Sequence, residues 1–266
     1  MKIRKILVGA LLLMTSLGGL AQTHQVLIKT NLGNITVMLY DDTPEHRDNF
    51  MRLVNSGHYD GTLFYRVVKD FVVQGGSSSS KRAVEGSRVG YGKSVNINSE
   101  FRENRFHKKG ALCAPRQPED VNMFKKSDIG QFYFAVGRIV PIEELEMIEK
   151  SVNIPIKRQL KAKYYTPHKA ELDSLKQNNP REFNRRLREI KDQIEVEYAL
   201  SETLEFPQEM KEAYTTIGGI PTLDGEYTVF GEIIEGMDVL DKIAQLPTDK
   251  NDRPYTDVRM ELEVIR

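Results

Sequence analysis

Phe64-Tyr65-Arg66-Val67-Val68-Lys69-Asp70-Phe71-Val72-Val73-Gln74-Gly75-Gly76 is the stretch on which the reading of this chain turns. Aromatic and β-branched residues dominate from Thr62 to Val73, so extended structure is expected. Arg66 stands inside this apolar run. Taken alone, it is an arginine that snorkels to solvent or pairs with a carboxylate. Phe71 and Gln74 follow at fixed offsets, and Gly75-Gly76 permits a close backbone approach. Two further pieces stand downstream: Gly130-Gln131-Phe132-Tyr133-Phe134, and Leu223-Asp224-Gly225-Glu226-Tyr227-Thr228-Val229-Phe230-Gly231.

The flanking sequence places this stretch among strands. Gln25 to Lys29 and Ile35 to Leu39 alternate around a turn-rich segment, Thr30 to Asn34, which is a hairpin signal. At Thr43-Pro44-Glu45, Thr43 can cap a helix, Pro44 suits its first position and the acids suit its positive end. Phe50, Leu53 and Val54 follow at helical spacing, and Gly57 ends the helix. Residues 75–98 are rich in Gly and Ser and are expected to be loop. Tyr227 to Phe230 is a strand candidate. Met237 to Leu246 is expected to be a short helix with Val239, Leu240 and Ile243 on one face. Val258, Met260, Leu262 and Val264 alternate with charged neighbours as a half-buried final strand. Strands, few helices and long loops predict a mainly β fold, a barrel closed at its ends by helices.

The middle differs. From about Ile139 to Ile217 the chain is highly charged and free of glycine. Asn179-Pro180 is a helix start, and Phe183, Leu187, Ile190, Ile194 and Tyr198 form one apolar stripe behind it. Leu172 and Leu175 suggest another short helix, and Pro207 opens a third carrying Met210 and Tyr214. The segment is expected to be a helical excursion from the β-domain. Its stripe must pack on its own helices, the barrel, a second subunit or a client.

Composition narrows the function. The 266 residues carry 38 basic and 38 acidic side chains, so no overall field favours nucleic acid or an anionic membrane. A single cysteine, Cys113, makes no internal disulfide and excludes zinc sites built on several thiolates. The five histidines never approach H-E-x-x-H spacing. Met1 to Ala21 has basic Lys2, Arg4 and Lys5, an apolar run from Ile6 to Leu13 and small residues before Gln22. That is the pattern of a cleaved secretory signal. The apolar run is short and broken by Thr15, Ser16, Gly18 and Gly19, whereas a membrane span needs about 20 apolar residues. The expected organisation is a signal at 1–21 and an exported, periplasmic or extracellular domain at 22–266 interrupted by 139–217.

The three motif pieces, in this order, resemble the cyclophilin family of peptidyl-prolyl cis–trans isomerases. The likeness spans about residues 24–138 and 218–266, and the Thr43-Pro44-Glu45 start with Asn49-Phe50 belongs to it. It implies a closed antiparallel eight-stranded barrel with two capping helices, to which this chain adds the helical insertion. It also implies that Arg66 is the catalytic arginine, Phe71 the floor of the proline pocket, and Val72, Tyr133 and Leu223 its walls. Gln74 would orient Arg66 and bind the substrate backbone. Gln131 and the Arg116 backbone match peptide-binding positions, and Tyr227 stands at a pocket position. The partners would be proline-containing unfolded or partly folded polypeptides, with no metal, nucleotide, other cofactor or covalent intermediate.

Several positions depart from the usual pattern. Tyr65 and Ser77 replace histidine and aspartate. Val72 replaces methionine, and Tyr133 replaces phenylalanine. Pro115-Arg116 replaces alanine-asparagine, Thr222 replaces tryptophan and Tyr227 replaces histidine. The departures keep a rival open, a chaperone that holds proline segments with little turnover.

Overall fold

The computed structural model describes residues 24–84, 86–90 and 95–266. The segment read as a signal lies outside them. Among the described residues no helix is long and apolar enough to cross a membrane.

The chain opens with the expected hairpin, β1 (His24–Thr30) and β2 (Gly33–Leu39). The turn is tighter than the composition suggested, with Thr30 paired directly to Gly33. Then come α1 (Pro44–Asn55), β3 (Thr62–Val68) and β4 (Val72–Gly75). Two short strands, β5 (Asn96–Ile97) and β7 (Ser127–Asp128), pair with each other outside the barrel. β6 (Ala111–Cys113) and β8 (Phe132–Ala135) return to it. β9 (Val229–Glu235), α6 (Met237–Ala244) and β10 (Arg259–Val264) end the chain. Eight strands close in the order β1-β10-β3-β4-β8-β6-β9-β2. Every pairing is antiparallel.

Alternation drives the closure. Val26 and Ile28 of β1, Ile35 and Val37 of β2, and Met260 of β10 are almost fully buried in one core. Phe50, Leu53 and Val54 of α1 enter that core, as do Val239, Leu240 and Ile243 of α6. The two helices therefore close on the barrel through the faces their spacing predicted.

The start of α1 corrects one expectation. Thr43 occupies the capping position, but its hydroxyl donates to the Tyr40 carbonyl instead of accepting from the helix. The carboxylate of Glu100 does the capping from a distant loop, accepting from the amides of Glu45 (3.3 Å) and His46 (3.0 Å). A remote residue satisfies these donors, so local pattern could not reveal it. Gly75 also has a purpose other than ligand approach. A Cβ there would lie 2.9 Å from the Leu63 carbonyl oxygen of the neighbouring strand.

The insertion holds more helix than its stripes suggested. α2 (Ile142–Tyr164) is the longest helix among the described residues, and it carries Pro155 in its interior. α3 (Lys169–Asn178), α4 (Pro180–Ala199) and α5 (Gln208–Thr216) follow. Asn179 caps α4 by accepting from the Glu182 amide. α4 packs on α2 and α3. Its stripe is only partly covered: Ile190 is buried, while Phe183, Leu187, Ile194 and Tyr198 are half-buried. The base of the insertion is anchored differently. Phe106, from a barrel loop, packs with Val140, Leu145, Phe206, Met210 and Tyr214. The two ends of the excursion meet where the Gly219 amide donates to the Arg138 carbonyl at 3.0 Å. Gly137 (φ +56) lies so close to Gly219 there that a Cβ would come within 2.2 Å of its carbonyl oxygen.

Candidate active site

The β3–β4 hairpin explains the spacing of the motif. Asp70 takes a left-handed conformation, φ 56°, and the Phe71 amide donates to the Val68 carbonyl. This turn brings Arg66 and Gln74 directly opposite each other in the ladder. The Arg66 guanidinium donates from Nη1 to Gln74 Oε1 at 3.4 Å, and its Nε lies 3.5 Å from Asp252 Oδ2.

Gln74 is held in turn. Its Nε2 donates to the Tyr65 hydroxyl at 2.7 Å, and that hydroxyl donates to Gln131 Oε1. Gln131 Nε2 donates to Asp128 Oδ2 at 2.9 Å. A run of side chains thus passes from Arg66 through Gln74 and Tyr65 to Gln131 and the buried Asp128. Arg66, Gln74, Arg116, Pro118 and Asp252 face a shared cavity of about 580 Å3. The Arg66 side chain is 37% exposed on it.

The apolar residues assemble separately. Phe71, Val72, Tyr133, Leu223 and Tyr227 share one cluster with Cys113, Ile220 and Val229. The two halves adjoin, because Gln74 and Tyr133 are partners across β4 and β8. Arg116 bridges them. Its guanidinium sits 4.9 Å over the Tyr227 ring, and it donates to the Glu226 carboxylate at 2.7 Å and the Glu226 carbonyl at 2.8 Å. Its side chain is committed to these partners. Arg116 and Lys125 together hold the Glu226 carboxyl below the usual carboxylate range, although burial pushes it up.

A polar network of residues distant in sequence adjoins the apolar cluster. His107 is fully buried; its Nδ1 is 2.9 Å from Asp224 Oδ1 and its Nε2 3.0 Å from the Tyr133 hydroxyl. The other Asp224 oxygen accepts from the Tyr214 hydroxyl of α5 at 2.6 Å. A carboxylate only accepts, so His107 donates from Nδ1. Burial pushes the Tyr133 phenol well up, so its hydroxyl stays protonated beside Nε2. Burial likewise pushes the Cys113 thiol up, the opposite of what a thiolate nucleophile needs. Asp224 was visible inside its motif, but its partners are distant in sequence. Asp252 carried no signal: only the fold brings it to Arg66.

The family model described as "Cyclophilin type peptidyl-prolyl cis-trans isomerase/CLD" matches residues 25–148 and 198–264. A Staphylococcus epidermidis protein named for peptidyl-prolyl cis-trans isomerase activity is 27% identical over 238 residues, 89% of each chain. A Streptococcus pyogenes protein named as a bifunctional phosphatase and peptidyl-prolyl cis-trans isomerase is 25% identical over 240 residues; the match takes in 89% of this chain and 37% of that longer protein. A crystal structure of a Cryptosporidium parvum cyclophilin-type isomerase superposes with a TM-score of 0.51 at 18% identity, covering 92% of this chain and 98% of the other. The same Cryptosporidium protein in the presence of the dipeptide Ala-Pro gives a TM-score of 0.50 at 18% identity, over 91% and 99% of the two chains. The family match runs through both flanks of the helical insertion and breaks only across its outer part, and the chain belongs to the cyclophilin-type peptidyl-prolyl cis–trans isomerases.

Proposed function

We propose that this chain accelerates rotation about X-Pro bonds with Arg66 as the stabilising charge, and that it does so for exported polypeptides as they fold. The barrier to rotation arises from partial double-bond character in the C–N bond, about 18–20 kcal/mol. X-Pro bonds populate both isomers, so their slow exchange limits folding. In the twisted amide the nitrogen regains a lone pair. A cation donating a hydrogen bond to that nitrogen, or to the prolyl carbonyl, favours the twisted state over either planar one. That difference is what catalyses.

The observation that carries this reading is the direct pairing of Arg66 with Gln74 beside an apolar cluster containing Phe71, Val72, Tyr133, Leu223 and Tyr227. The cluster offers a surface for the proline ring. Gln74 and Asp252 fix a guanidinium whose charge is permanent and whose donors are forked. Gln131 and the Arg116 backbone would hold the chain on either side of the ring. The role in export rests on the basic and apolar pattern of Met1 to Ala21.

The test compares wild type with Arg66→Ala on a proline-containing tetrapeptide, following isomer exchange by NMR. The variant should unfold at the same denaturant concentration and lose on the order of 10²-fold or more in rate. A wild-type protein no faster than spontaneous exchange overturns the proposal and leaves a module that holds proline segments without turning them over.

A further inference from the structure

The insertion and the barrel enclose a second cleft between them. The segment from Thr203 to Pro207, which leads into α5, and the barrel loop from Phe101 to Phe106 line one opening of about 510 Å3. Its apolar lining comes from both parts of the chain: Phe101 and Phe106 from the barrel, Leu204, Phe206 and Met210 from the insertion. Tyr227 also lines it. Arg102, Glu103, Arg105 and Asp224 also line it, and its apolar part has room for a large side chain.

Tyr227 decides the occupant. The same ring packs in the proposed proline site, edge-on to Tyr133 with centroids 6.0 Å apart, and lies under the Arg116 guanidinium. The cleft therefore opens directly off the surface where a polypeptide would lie, with one aromatic side chain as the common wall. An extended chain advances about 3.3–3.6 Å per residue, so the 6.0 Å between the Tyr133 and Tyr227 rings is spanned by about two residues.

We propose that this cleft is a substrate subsite that takes a large apolar side chain of the same polypeptide, a few residues from the proline on the Tyr227 side. The enzyme would then select X-Pro bonds that have a Leu- or Phe-type residue near them. This inference rests on the assignment of Tyr227 to the proline site. The contact is made equally in the planar and twisted states, so it lowers KM and leaves kcat unchanged. The expected gain in kcat/KM is on the order of tenfold.

The experiment uses a host peptide with one proline among alanines and a set of variants with a single Leu or Phe at each of the second, third and fourth positions before and after the proline. Wild-type protein should show the gain at positions on one side only, through KM. Thr203→Trp and Glu205→Trp place a large ring at the mouth of the cleft from an exposed segment. Each should abolish the gain and leave the all-alanine peptide unchanged. No positional gain in wild type overturns the subsite, and so does a gain that survives a folded filling variant. If wild type fails to turn over even the all-alanine peptide, the isomerase assignment is what has failed. Peptide affinity, measured by fluorescence anisotropy across the same series, still reads the cleft in that case: a Leu or Phe preference sensitive to the filling variants sustains it, and a flat series overturns it.

Discussion

The Tyr133 hydroxyl and His107 Nε2 are bonded at 3.0 Å, with the two rings nearly parallel at 13°. A wall of the proposed proline site is thereby fixed by a histidine that Asp224 ties to Tyr214, a residue of the insertion. The family's usual phenylalanine at this position has no such handle. Here the phenol lets the insertion and the pocket share one polar network.

Tyr133→Phe tests that relationship. The ring and its packing remain, so proline binding should persist. His107 Nε2 loses its hydrogen-bond partner in a buried position, and an unsatisfied buried group costs about 1–3 kcal/mol. Urea denaturation should show a loss of that size with an unchanged slope. An unchanged midpoint would mean that the bond contributes nothing net.

Tyr65→Phe addresses the other half of the site. The Tyr65 hydroxyl accepts from Gln74 and donates to Gln131, so its removal frees both amides. Gln74 would then no longer hold Arg66 in one orientation. Loss of one orienting hydrogen bond, worth about 1.4 kcal/mol, corresponds to roughly tenfold in rate. Isomer exchange on a tetrapeptide should slow by that factor in a protein of near wild-type stability. An unchanged rate would show that Arg66 is held by Asp252 and its own packing.

The barrel was legible because its strands obey local rules, whereas Arg66 and Gln74 were linked only through the resemblance of their motif to a known family. Period-two alternation marked β1, β2 and β10, but the run from Thr62 to Val73, expected as one extended stretch, is broken by the turn at Asp70 into β3 and β4. Four features were not legible, for three physical reasons. α2 contains Pro155, a residue that ordinarily interrupts a helix. Glu100 caps α1 and Asp252 reaches Arg66 only through closure of the barrel, which sequence spacing does not encode. The cleft beside Tyr227 needs both the barrel loop and the insertion, so neither stretch announces it alone.

His46 makes stability depend on pH. Its Nδ1 meets the Glu100 carboxylate at 2.7 Å, while its Nε2 is buried with no hydrogen-bond partner among the described residues. Protonation would place a charged N–H there without an acceptor. Burial therefore holds the imidazole below its ordinary pKa, although the carboxylates of Glu100 and Glu45 pull the other way and Arg102 adds to the lowering. With the folded pKa below the unfolded value of about 6.5, the unfolded chain takes up the proton first as pH falls. The contribution is complete above about 6.5 and is lost as pH falls through the folded pKa. Wild-type unfolding free energy should decline between pH 7.5 and pH 5, and His46→Gln should decline less. Equal declines would assign the effect to other groups.

The insertion divides into a base and an arm, and cutting between them tests what each does. The base packs on Phe106, and Asn153 clamps it twice, donating to the Leu204 carbonyl at 2.8 Å and accepting from its amide at 2.9 Å. The family match skips 149–197, which takes in most of the arm beyond, and α4 packs on α2 and α3. Joining Ile154 to Glu202 with a short Gly-Ser linker keeps every base contact just named. That protein should fold and isomerise a tetrapeptide within about twofold of wild type, since surface changes away from packed features cost little. The arm carries an open apolar groove of about 530 Å3 lined by Leu187, Ile190, Ile194 and Tyr198 and flanked by Lys157 and Lys161. Its loss should slow catalysed refolding of an unfolded protein several-fold, and equal rates on both substrates would remove any part for the arm in client handling. Joining Arg138 to Gly218 instead strips Phe106 of its cover and takes Tyr214 from Asp224. Exposing that aromatic and breaking the buried network should cost on the order of 2–5 kcal/mol. Such a protein melting as late as wild type would show that the base stabilises nothing in the barrel.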